Sequence, residues 1–566
     1  MTSPAASAAD FRRDYLSYDA LTAQLERWAE QHPDVVRLES LGTTEQGRAI
    51  HLLTIGPEPD RLRPAAWIDG NMHACELAGS SVCLAVAEDL IALHRGEHTE
   101  LPATLVDVLR ETLVYVVPRI SPDGAETVLA TGRYVRSVPR DARPERGHPR
   151  WIGEDVDGDG LALVMRQRDP TGEFVESTVV PNLLVRRRLE DEGPFYKVYP
   201  EGRIAHWDGR TIPTPSFVGD NDPDLNRNFP YHWAPAHEQI GAGRYPMSET
   251  ESRVLVEFAE KHPNIFAWLN LHTFGGVHIR PLGNAPDAKM NPGDLALFRQ
   301  VEEWTDEFTG YPMVSGFEEF TYEPDKPLHG DLSDFAYHHR GALSWVCEIW
   351  DVFERAGLPK AKRFVDQYTQ LDRQHVEQIA KWDRDNNPSP VVLPWREFHH
   401  PQIGAVEIGG IDPRFGLWNP PRSELDAVCR GLSNVFLRVA AMAARVQVDV
   451  HVEHLADEHA RIVVEVVNLG YLATFGIPSS RPLPFNEPLW IDAEARGCEL
   501  LDEPHRELGH LEGWGRGRGS MGELFHQRSS GSVSRTQSAF TVKGKGTLRL
   551  RVGSCRVGFS TRVVEL

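Results

Sequence analysis

The hydrophobic pattern of the first 385 residues alternates between short apolar runs and amphipathic stretches. Residues 18–31, YDALTAQLERWAEQ, place Leu21, Leu25 and Trp28 at spacings of three and four, which predicts a helix. The apolar runs PAAWID and IFAWLNLHT predict buried strands, and LAGSSVCLAVAEDLIALHRG predicts a second helix. Strands that alternate with helices predict an α/β fold with a mostly parallel sheet. In such sheets, binding sites gather beyond the carboxyl ends of the strands.

The pattern changes at three places, which predicts the domain organisation. Between Ser137 and Asp224, Arg, Asp, Gly and Pro replace the periodic pattern, so we predict an insertion at about 138–222 within a catalytic domain over 1–385. The Pro-rich stretch RDNNPSPVVLPWREFHHPQ predicts a linker and connecting segment over 386–444. From residue 445 the runs VQVDVHVEHL and ARIVVEVVNLG have period two and many β-branched residues, which predicts a β-sandwich domain over 445–566.

Composition and charge narrow the class of partner. The net charge of −22 argues against a nucleic acid partner, because an acidic surface repels phosphates. No apolar run approaches the ~20 residues that cross a bilayer, and MTSPAASAADFRRDYLSYD has no secretory signal pattern. The six cysteines lack C-x-x-C spacing, so we expect free thiols in a reducing compartment. These features predict a cytoplasmic protein that does not act at a membrane.

A candidate metal site begins in the stretch GNMHACELAG. His73 and Glu76 lie three residues apart, directly after the strand PAAWID. A catalytic zinc takes three protein ligands and leaves one position open, so a third ligand should come from another strand end. His272, at the end of IFAWLNLHT, meets that requirement. Alternatively, His73 and Glu76 are polar because they lie on the surface, and His272 is a hydrogen-bonded histidine of the core.

Other polar residues supply the groups that hydrolysis at a metal needs. Glu348 interrupts the apolar run ALSWVCEIWD and is a candidate general base, since burial raises a carboxyl pKa; a strand residue that faces solvent is the alternative. In DPDLNRNFP, Asn226 and Arg227 could bind a carboxylate, and Asp224 could orient a ligating imidazole. A polar turn with a surface arginine is the alternative.

Taken together, these stretches resemble one family, the zinc carboxypeptidases of the pancreatic carboxypeptidase A/B type, also called funnelins. HACE resembles the family's H-x-x-E, PRISPDGAE its Asn-Pro-Asp-Gly segment, and DLNRNFP its Asp-x-Asn-Arg-Asn-Phe segment. SETE resembles the start of a family helix, and GDLSDFAY with SWVCEIWD resembles the segment that ends in the catalytic glutamate. The order along the chain is that of the family, over roughly residues 15–380.

The resemblance implies both a fold and a set of roles. The implied fold is an α/β/α sandwich around a mixed, mostly parallel eight-stranded sheet. The implied cofactor is one Zn²⁺ held by His73, Glu76 and His272, with Glu348 taking a proton from zinc-bound water and passing it to the leaving amine. Asn226 and Arg227 would grip the terminal carboxylate of a peptide. The family's R-x-x-R-S appears as RYVRS, so Arg133 is predicted to polarise the scissile carbonyl, with Arg136 as the alternative.

The chain departs from the family at two positions around the cleft. Lys326 stands where the tyrosine that caps the substrate is expected, and Tyr322 is the nearest tyrosine. Ser333 occupies the position that usually sets side-chain preference, and it is neither the apolar nor the acidic residue of the pancreatic enzymes. We therefore predict Tyr322 and Ser333 as substrate contacts. The sequence does not predict which C-terminal residue of the substrate is preferred.

The insertion contains a second candidate metal site. In DVDGDG, Asp155, Asp157 and Asp159 alternate and Gly160 occupies the sixth position, as in the front of a calcium loop. The twelfth position is Arg166, which excludes an EF-hand. A structural Ca²⁺ site is one interpretation, and an acidic turn is the other.

Three functions are consistent with these residues. The leading one is a zinc-dependent carboxypeptidase. The second is a zinc amidohydrolase that acts on a small N-acyl amino acid or a modified peptide; such enzymes generally lack the Pro-Asp-Gly segment found at 122–124. The third is a non-catalytic protein that binds peptide C-termini in the same cleft.

Overall fold

A central sheet made of the apolar strands organises the amino-terminal two thirds of the chain. The computed structural model describes residues 10–97, 101–140, 147–215, 223–323, 326–517 and 524–566. Within these residues the sheet has eight strands in the order β1-β2-β4-β3-β11-β14-β12-β13. These strands are β1 (Val36–Thr43), β2 (Ala49–Ile55), β3 (Ala65–Gly70), β4 (Leu113–Val117), β11 (Ile265–Thr273), β12 (Val277–Arg280), β13 (Met313–Ser315) and β14 (Leu343–Ile349).

The sheet is mixed, and its centre is parallel. Strands β4, β3, β11 and β14 run parallel to one another, whereas β2 is antiparallel to β4 and β12 is antiparallel to β14. Every residue of β3 and β11 is buried, because helices cover both faces of the sheet. This arrangement confirms the predicted α/β/α fold.

The helices form two layers, one on each side of this sheet. Ala66 and Ile68 face one layer, with α1, α2, α6 and α12, whereas Trp67 faces the other, with α5 and α8. The helices are α1 (Tyr18–Gln31), α2 (Ala78–His94), α3 (Ala103–Leu109), α4 (Pro122–Thr131), α5 (Thr250–Lys261), α6 (Pro292–Thr309), α7 (Gly316–Glu319), α8 (Leu332–His338), α9 (Val352–Arg355), α10 (Asp366–Thr369), α11 (Arg373–Asn386) and α12 (Leu425–Ala440). None of the helices in the described ranges combines the length and hydrophobicity that a bilayer crossing requires.

The segment predicted as the insertion contains short strands of its own. They are β5 (Arg150–Gly153), β6 (Val164–Arg168), β7 (Phe174–Glu176), β8 (Leu184–Arg186), β9 (Phe195–Pro200) and β10 (Gly202–Ala205). Strands β5 and β10 pair with each other, and the rest belong to a larger sheet. Residues 141–146 and 216–222 of the predicted insertion lie outside the described residues.

The prediction of a linker over 386–444 is wrong. Strands β15 (Val392–His400) and β16 (Gly404–Ile411) extend the sheet of the insertion, in the order β15-β16-β6-β9-β7-β8. Pro394 suggested a linker, but β15 is an edge strand with an irregular register between Leu393 and Arg396, where a proline is tolerated. Helix α12 packs its apolar face into the core, so this segment belongs to the folded body.

The carboxy-terminal strands form two facing sheets. One has the order β17-β18-β22-β20 and the other β21-β19-β23-β24, with an apolar core that both sheets share. The strands are β17 (Val446–His454), β18 (His459–Asn468), β19 (Leu489–Arg496), β20 (Glu499–Leu500), β21 (His505–Gly509), β22 (Arg535–Lys543), β23 (Thr547–Ser554) and β24 (Gly558–Glu565). This is the β domain that the period-two pattern predicted.

Candidate active site

The candidate site lies at the carboxyl edge of the central parallel strands. Strand β3 ends at Gly70, and the turn that follows carries His73 and Glu76. His272 lies near the end of β11, and in the sheet register it pairs with Glu348 on the adjacent strand β14. Parallel strands bring their carboxyl ends to one edge, so residues nearly 280 positions apart in sequence meet here.

Three buried side chains converge at this edge as a metal would require. Nδ1 of His73 lies 2.8 Å from Oε1 of Glu76, and Nδ1 of His272 lies 2.9 Å from Oε2 of the same carboxylate. The two Nδ1 atoms are 3.0 Å apart. Two imidazoles and one carboxylate are ligand types that Zn²⁺ takes in proteins, and their nitrogen and oxygen atoms lie close enough together to share one ion.

The second ring nitrogen of each histidine has a fixed partner. Nε2 of His73 lies 3.0 Å from Oδ1 of Asp224, the residue predicted to orient an imidazole. Nε2 of His272 lies 2.5 Å from Oδ1 of Asn270, a partner that the sequence interpretation missed. Asn270 is two residues before His272 on one strand and therefore on the same face, which is the signal that could have identified it.

Asn270 is itself anchored in a buried polar network. Its amide donates to Oδ1 of Asp69 at 2.5 Å, and the indole N–H groups of Trp67 and Trp268 each donate to Oδ2 at 2.7 Å. Burial raises the pKa of Asp69 to about 6, although these three donors favour the carboxylate. The network orients the ring of His272 from the interior of the sheet.

Charges around the ligand group set its protonation. Burial raises the pKa of Glu76, but the neighbouring His73 and His272 outweigh it and hold that pKa well below the usual range. Burial, and then the negative charge of Glu76, raise the pKa of Glu348 well above its usual value. The two carboxyl groups therefore have pKa values shifted in opposite directions. The low pKa of Glu76 suits a carboxylate that binds a metal, and the raised pKa of Glu348 suits a group that accepts a proton.

The structure places Arg136, and not Arg133, beside this centre. The Nε atom of Arg136 donates to Asp224 at 3.0 Å, and Nη1 lies 3.5 Å from Glu76. Arg133 lines a separate cavity. Of the two arginines predicted for the carbonyl-polarising role, the structure therefore brings the alternative, Arg136, to the cleft, and not the preferred Arg133. The role itself stays a prediction. Because of the path of the backbone between residues 133 and 136, the two arginines line different cavities.

The other predicted substrate contacts line the same cavity as the ligand group, a cleft of about 620 Å³. Oδ1 of Asn226 accepts the backbone N–H of Leu332 at 2.9 Å. The NH₂ group of Asn226 takes no part in this bond. Arg227 follows it in a 3₁₀ turn, Leu225–Arg227, that Asp224 caps. Among the described residues, no carboxylate pairs with the Arg227 guanidinium, whose Nη1 donates only to a backbone oxygen.

Tyr322 and Ser333 lie on the wall of this cleft. Tyr322 is 54% exposed. Ser333 is buried at the start of α8 and donates to Asp331 at 2.7 Å. Both residues can therefore reach a molecule in the cleft.

The three aspartates of the insertion also come together. Asp155, Asp157 and Asp159 each place a carboxylate oxygen within 4.8 Å of the other two. Backbone N–H groups of the turn donate to Asp155, and the guanidinium of Arg396 contacts Asp157 at 3.3 Å and also touches Asp159. The calcium site stays a prediction.

A comparison with protein families agrees with the geometry. The sequence profile of the zinc carboxypeptidase family matches residues 21–158 and 206–373, which is more than half of the chain. The chain belongs to the zinc carboxypeptidase family. A second profile, described as a domain of unknown function, matches residues 446–565.

Individual proteins that are similar to this chain share a low sequence identity with it. A zinc carboxypeptidase of Saccharothrix mutabilis subsp. capreolus is 28% identical over 148 residues, which are 25% of this chain and 33% of that protein. Carboxypeptidase B of Astacus astacus is 24% identical over 290 residues, 50% of this chain and 68% of that protein. Bovine thrombin-activatable fibrinolysis inhibitor, solved with a tick carboxypeptidase inhibitor, aligns at 14% identity and a TM-score of 0.42, over 76% of this chain and 98% of that one.

Proposed function

We propose that this protein is a zinc-dependent carboxypeptidase that removes the C-terminal residue of peptides. One observation carries the proposal: His73, Glu76 and His272, the carboxyl of Glu348 and the guanidinium of Arg227 all line one cleft. Such a cleft offers a metal ligand set, a proton acceptor and a carboxylate clamp to the same molecule.

The carboxylate clamp supports an exopeptidase. A guanidinium pairs with a carboxylate through two parallel hydrogen bonds, and the NH₂ group of Asn226 adds a third donor beside Arg227. A peptide held in this way presents its last peptide bond at a fixed distance from the clamp. Internal peptide bonds have no charged terminus to bind here and would not be selected.

Arg136 is suited to stabilise the charge that develops on the scissile carbonyl oxygen. Although burial lowers its pKa, Asp224 and Glu76 raise that pKa well above its usual value, so the guanidinium stays charged in the cleft. The ion pair with Asp224 fixes its position before substrate arrives. A cation already in place stabilises an oxyanion without reorganisation.

Glu348 is the proposed general base. When bound, zinc supplies a Lewis acid that lowers the pKa of water and polarises a carbonyl. Glu348 accepts the proton of the attacking water and then delivers it to the leaving amine nitrogen. The pKa of Glu348 is shifted upwards, towards neutral pH, and a group with such a pKa can both accept and release a proton. Tyr322 would close the outer side of the cleft, and Ser333 would contact the C-terminal side chain.

The test is cleavage of a defined peptide pool by purified protein, followed by mass spectrometry over time. We expect loss of single C-terminal residues, which stops when a chelator removes the metal and returns when Zn²⁺ is restored. Glu348→Gln should lower kcat by roughly 10²–10⁴-fold with zinc content unchanged. Glu397→Gln, an exposed glutamate on β15, is the matched control and should retain activity.

Other outcomes point to the remaining functions. Zinc-loaded protein that leaves every peptide intact but hydrolyses N-acyl amino acids would be an amidohydrolase. Zinc-loaded protein that binds peptides with a free C-terminus and cleaves none of these compounds would be a binding protein. Either outcome contradicts the proposed peptidase.

A further inference from the structure

A second cavity, of about 490 Å³, lies next to the catalytic cleft. The side chain of Tyr134 lines both cavities. The far wall comes from strands of the insertion and from β15 and β16, including Trp151, Phe174 and Trp395. The family profile skips residues 159–205 and ends at residue 373, so much of this wall consists of segments that this chain adds to the family fold.

The wall of this insertion pocket is mainly apolar, and its aromatic rings are held in place. The indole N–H of Trp151 donates to the backbone oxygen of Pro213 at 2.9 Å, and its ring stacks on Tyr199 at 5.4 Å. The indole N–H of Trp395 donates to the backbone oxygen of Asn182 at 2.8 Å. Rings fixed by such bonds keep the pocket open without a ligand, as in most binding sites for small groups.

Arg133 supplies an uncommitted positive charge to this apolar pocket. Among the described residues, its guanidinium has no ion-pair partner within 4 Å and no side-chain hydrogen bond; burial lowers its pKa, and the charge of Glu154 partly opposes that shift. Arg140, on the same wall, is already held by two glutamates. Glu201 is occupied by two backbone N–H groups, and Glu154 by another arginine. A half-buried, unpaired guanidinium is stabilised by an anion that enters the pocket.

The sequence spacing of the two arginines limits how far the insertion pocket can lie from the ligand group. Arg133 precedes Arg136 by three residues, and three residues of chain span at most roughly 10 Å. An extended substrate advances about 3.3 Å per residue. A side chain about three residues before the cleaved bond can therefore reach the insertion pocket while the C-terminal carboxylate is at Arg227.

We propose that the insertion pocket binds the substrate segment on the amino-terminal side of the cleaved bond and selects an acidic side chain there. The carboxylate pairs with Arg133, and neighbouring apolar side chains contact the aromatic wall. This inference rests on the proposed peptidase function, because it treats the ligand as the upstream part of the same peptide.

The experiment compares peptides that share a C-terminal residue and differ only in Glu or Gln at the second to fifth positions before the cleaved bond. For wild-type protein, kcat/KM should favour Glu by about tenfold at one or two adjacent positions. Arg133→Gln should reduce that ratio to about one. Arg168→Gln, which removes an exposed arginine of β6, is the matched control and should keep the ratio.

A binding arm separates the two proposals. Dissociation constants of the same peptide pairs are measured by calorimetry on zinc-loaded Glu348→Gln protein, in which cleavage is blocked. Equal affinities for Glu and Gln peptides at every position, or a preference that survives Arg133→Gln, overturn the insertion-pocket proposal even if cleavage is observed. A preference for Glu in binding, with no peptide cleaved by wild type, overturns the peptidase and leaves the pocket as a peptide-binding site.

Discussion

At the scale of single residues, the site depends on how each polar side chain is held. His73 and His272 each have one ring nitrogen directed at Glu76 and the other at a fixed acceptor. Arg227 differs, because its guanidinium has no carboxylate partner in the described part of the chain. The ligand group is thus held by contacts within the protein, whereas the Arg227 guanidinium faces the cleft without a carboxylate partner among the described residues.

The proposed role of Arg227 predicts an effect that depends on the substrate's terminus. Arg227→Gln should lower kcat/KM by roughly 10- to 150-fold, mainly through KM, since a charge-assisted pair is lost. Wild type should lose a similar factor when the peptide carries a C-terminal amide. The variant should distinguish acid from amide poorly, and Arg253→Gln, an arginine on the surface of α5, should behave as wild type. Equal acid-over-amide ratios in Arg227→Gln and wild type would contradict the role.

The partner of His272 predicts an effect on metal affinity. Asn270→Ala removes the group at Nε2 of His272 and should weaken zinc binding by roughly 10- to 100-fold. The zinc dissociation constant, measured against a competing chelator, provides the readout. Asn434→Ala on the surface of α12 is the control. An unchanged constant would mean that the ring of His272 needs no orienting partner.

At the scale of elements, residues 386–444 show that a segment can resemble a linker in its local sequence and still form strands and a helix in the folded protein. Strand β15 contains a proline and few buried residues, so it resembles a linker when read alone. It is nevertheless paired along its length with β16, where Val406 and Ile408 are buried against Met165 and Tyr199. The helix α12 packs against α2 and α6, which makes it part of the layer that covers the central sheet.

The packing of α12 predicts a large loss of stability from one substitution. Phe436 is fully buried in the core that α12 shares with the central sheet. Phe436→Ala should reduce the free energy of unfolding of the amino-terminal α/β domain by about 3–5 kcal/mol. The thermal midpoint followed by tryptophan fluorescence should fall, whereas Arg430→Ala on the exposed face should change it little. A midpoint unchanged by Phe436→Ala would mean that the segment is peripheral after all.

At the scale of the whole molecule, a buried arginine joins the β domain to the amino-terminal α/β domain. Arg556, in the turn between β23 and β24, donates to the backbone oxygens of Pro263 at 3.1 Å, Arg340 at 3.3 Å and Gly341 at 2.6 Å. Burial lowers the pKa of Arg556 to about 10. The contact supports the loops that lead into β11 and β14, the two strands that carry His272 and Glu348.

This contact predicts coupling between the domains. Arg556→Leu removes the donor from three carbonyl groups, two of them in buried hydrogen bonds, which destabilises the interface because buried unpaired polar groups are costly. Amide hydrogen exchange should speed up in residues 261–265 and 339–343, far from the substituted side chain in sequence. Arg549→Leu, an exposed position on β23, serves as the control. Unchanged exchange in both segments would contradict the coupling.

The sequence by itself determined the features that depend on local order. Fully apolar runs can only be buried strands or helices, so the α/β class and the β domain followed from periodicity. Polar residues at the ends of those strands meet at one edge if the sheet is parallel, so the sequence alone identifies His73, Glu76, His272 and Glu348 as candidate site residues.

Only the tertiary structure decided the features that depend on contacts distant in sequence. Arg133 and Arg136 are three residues apart and chemically identical, and the path of the backbone places only Arg136 beside Asp224. Strand β16 pairs with β6, more than 230 residues earlier, and β15 pairs in turn with β16; no local pattern indicates the partner β6. The insertion pocket exists for the same reason, because its walls come from segments that meet only after folding.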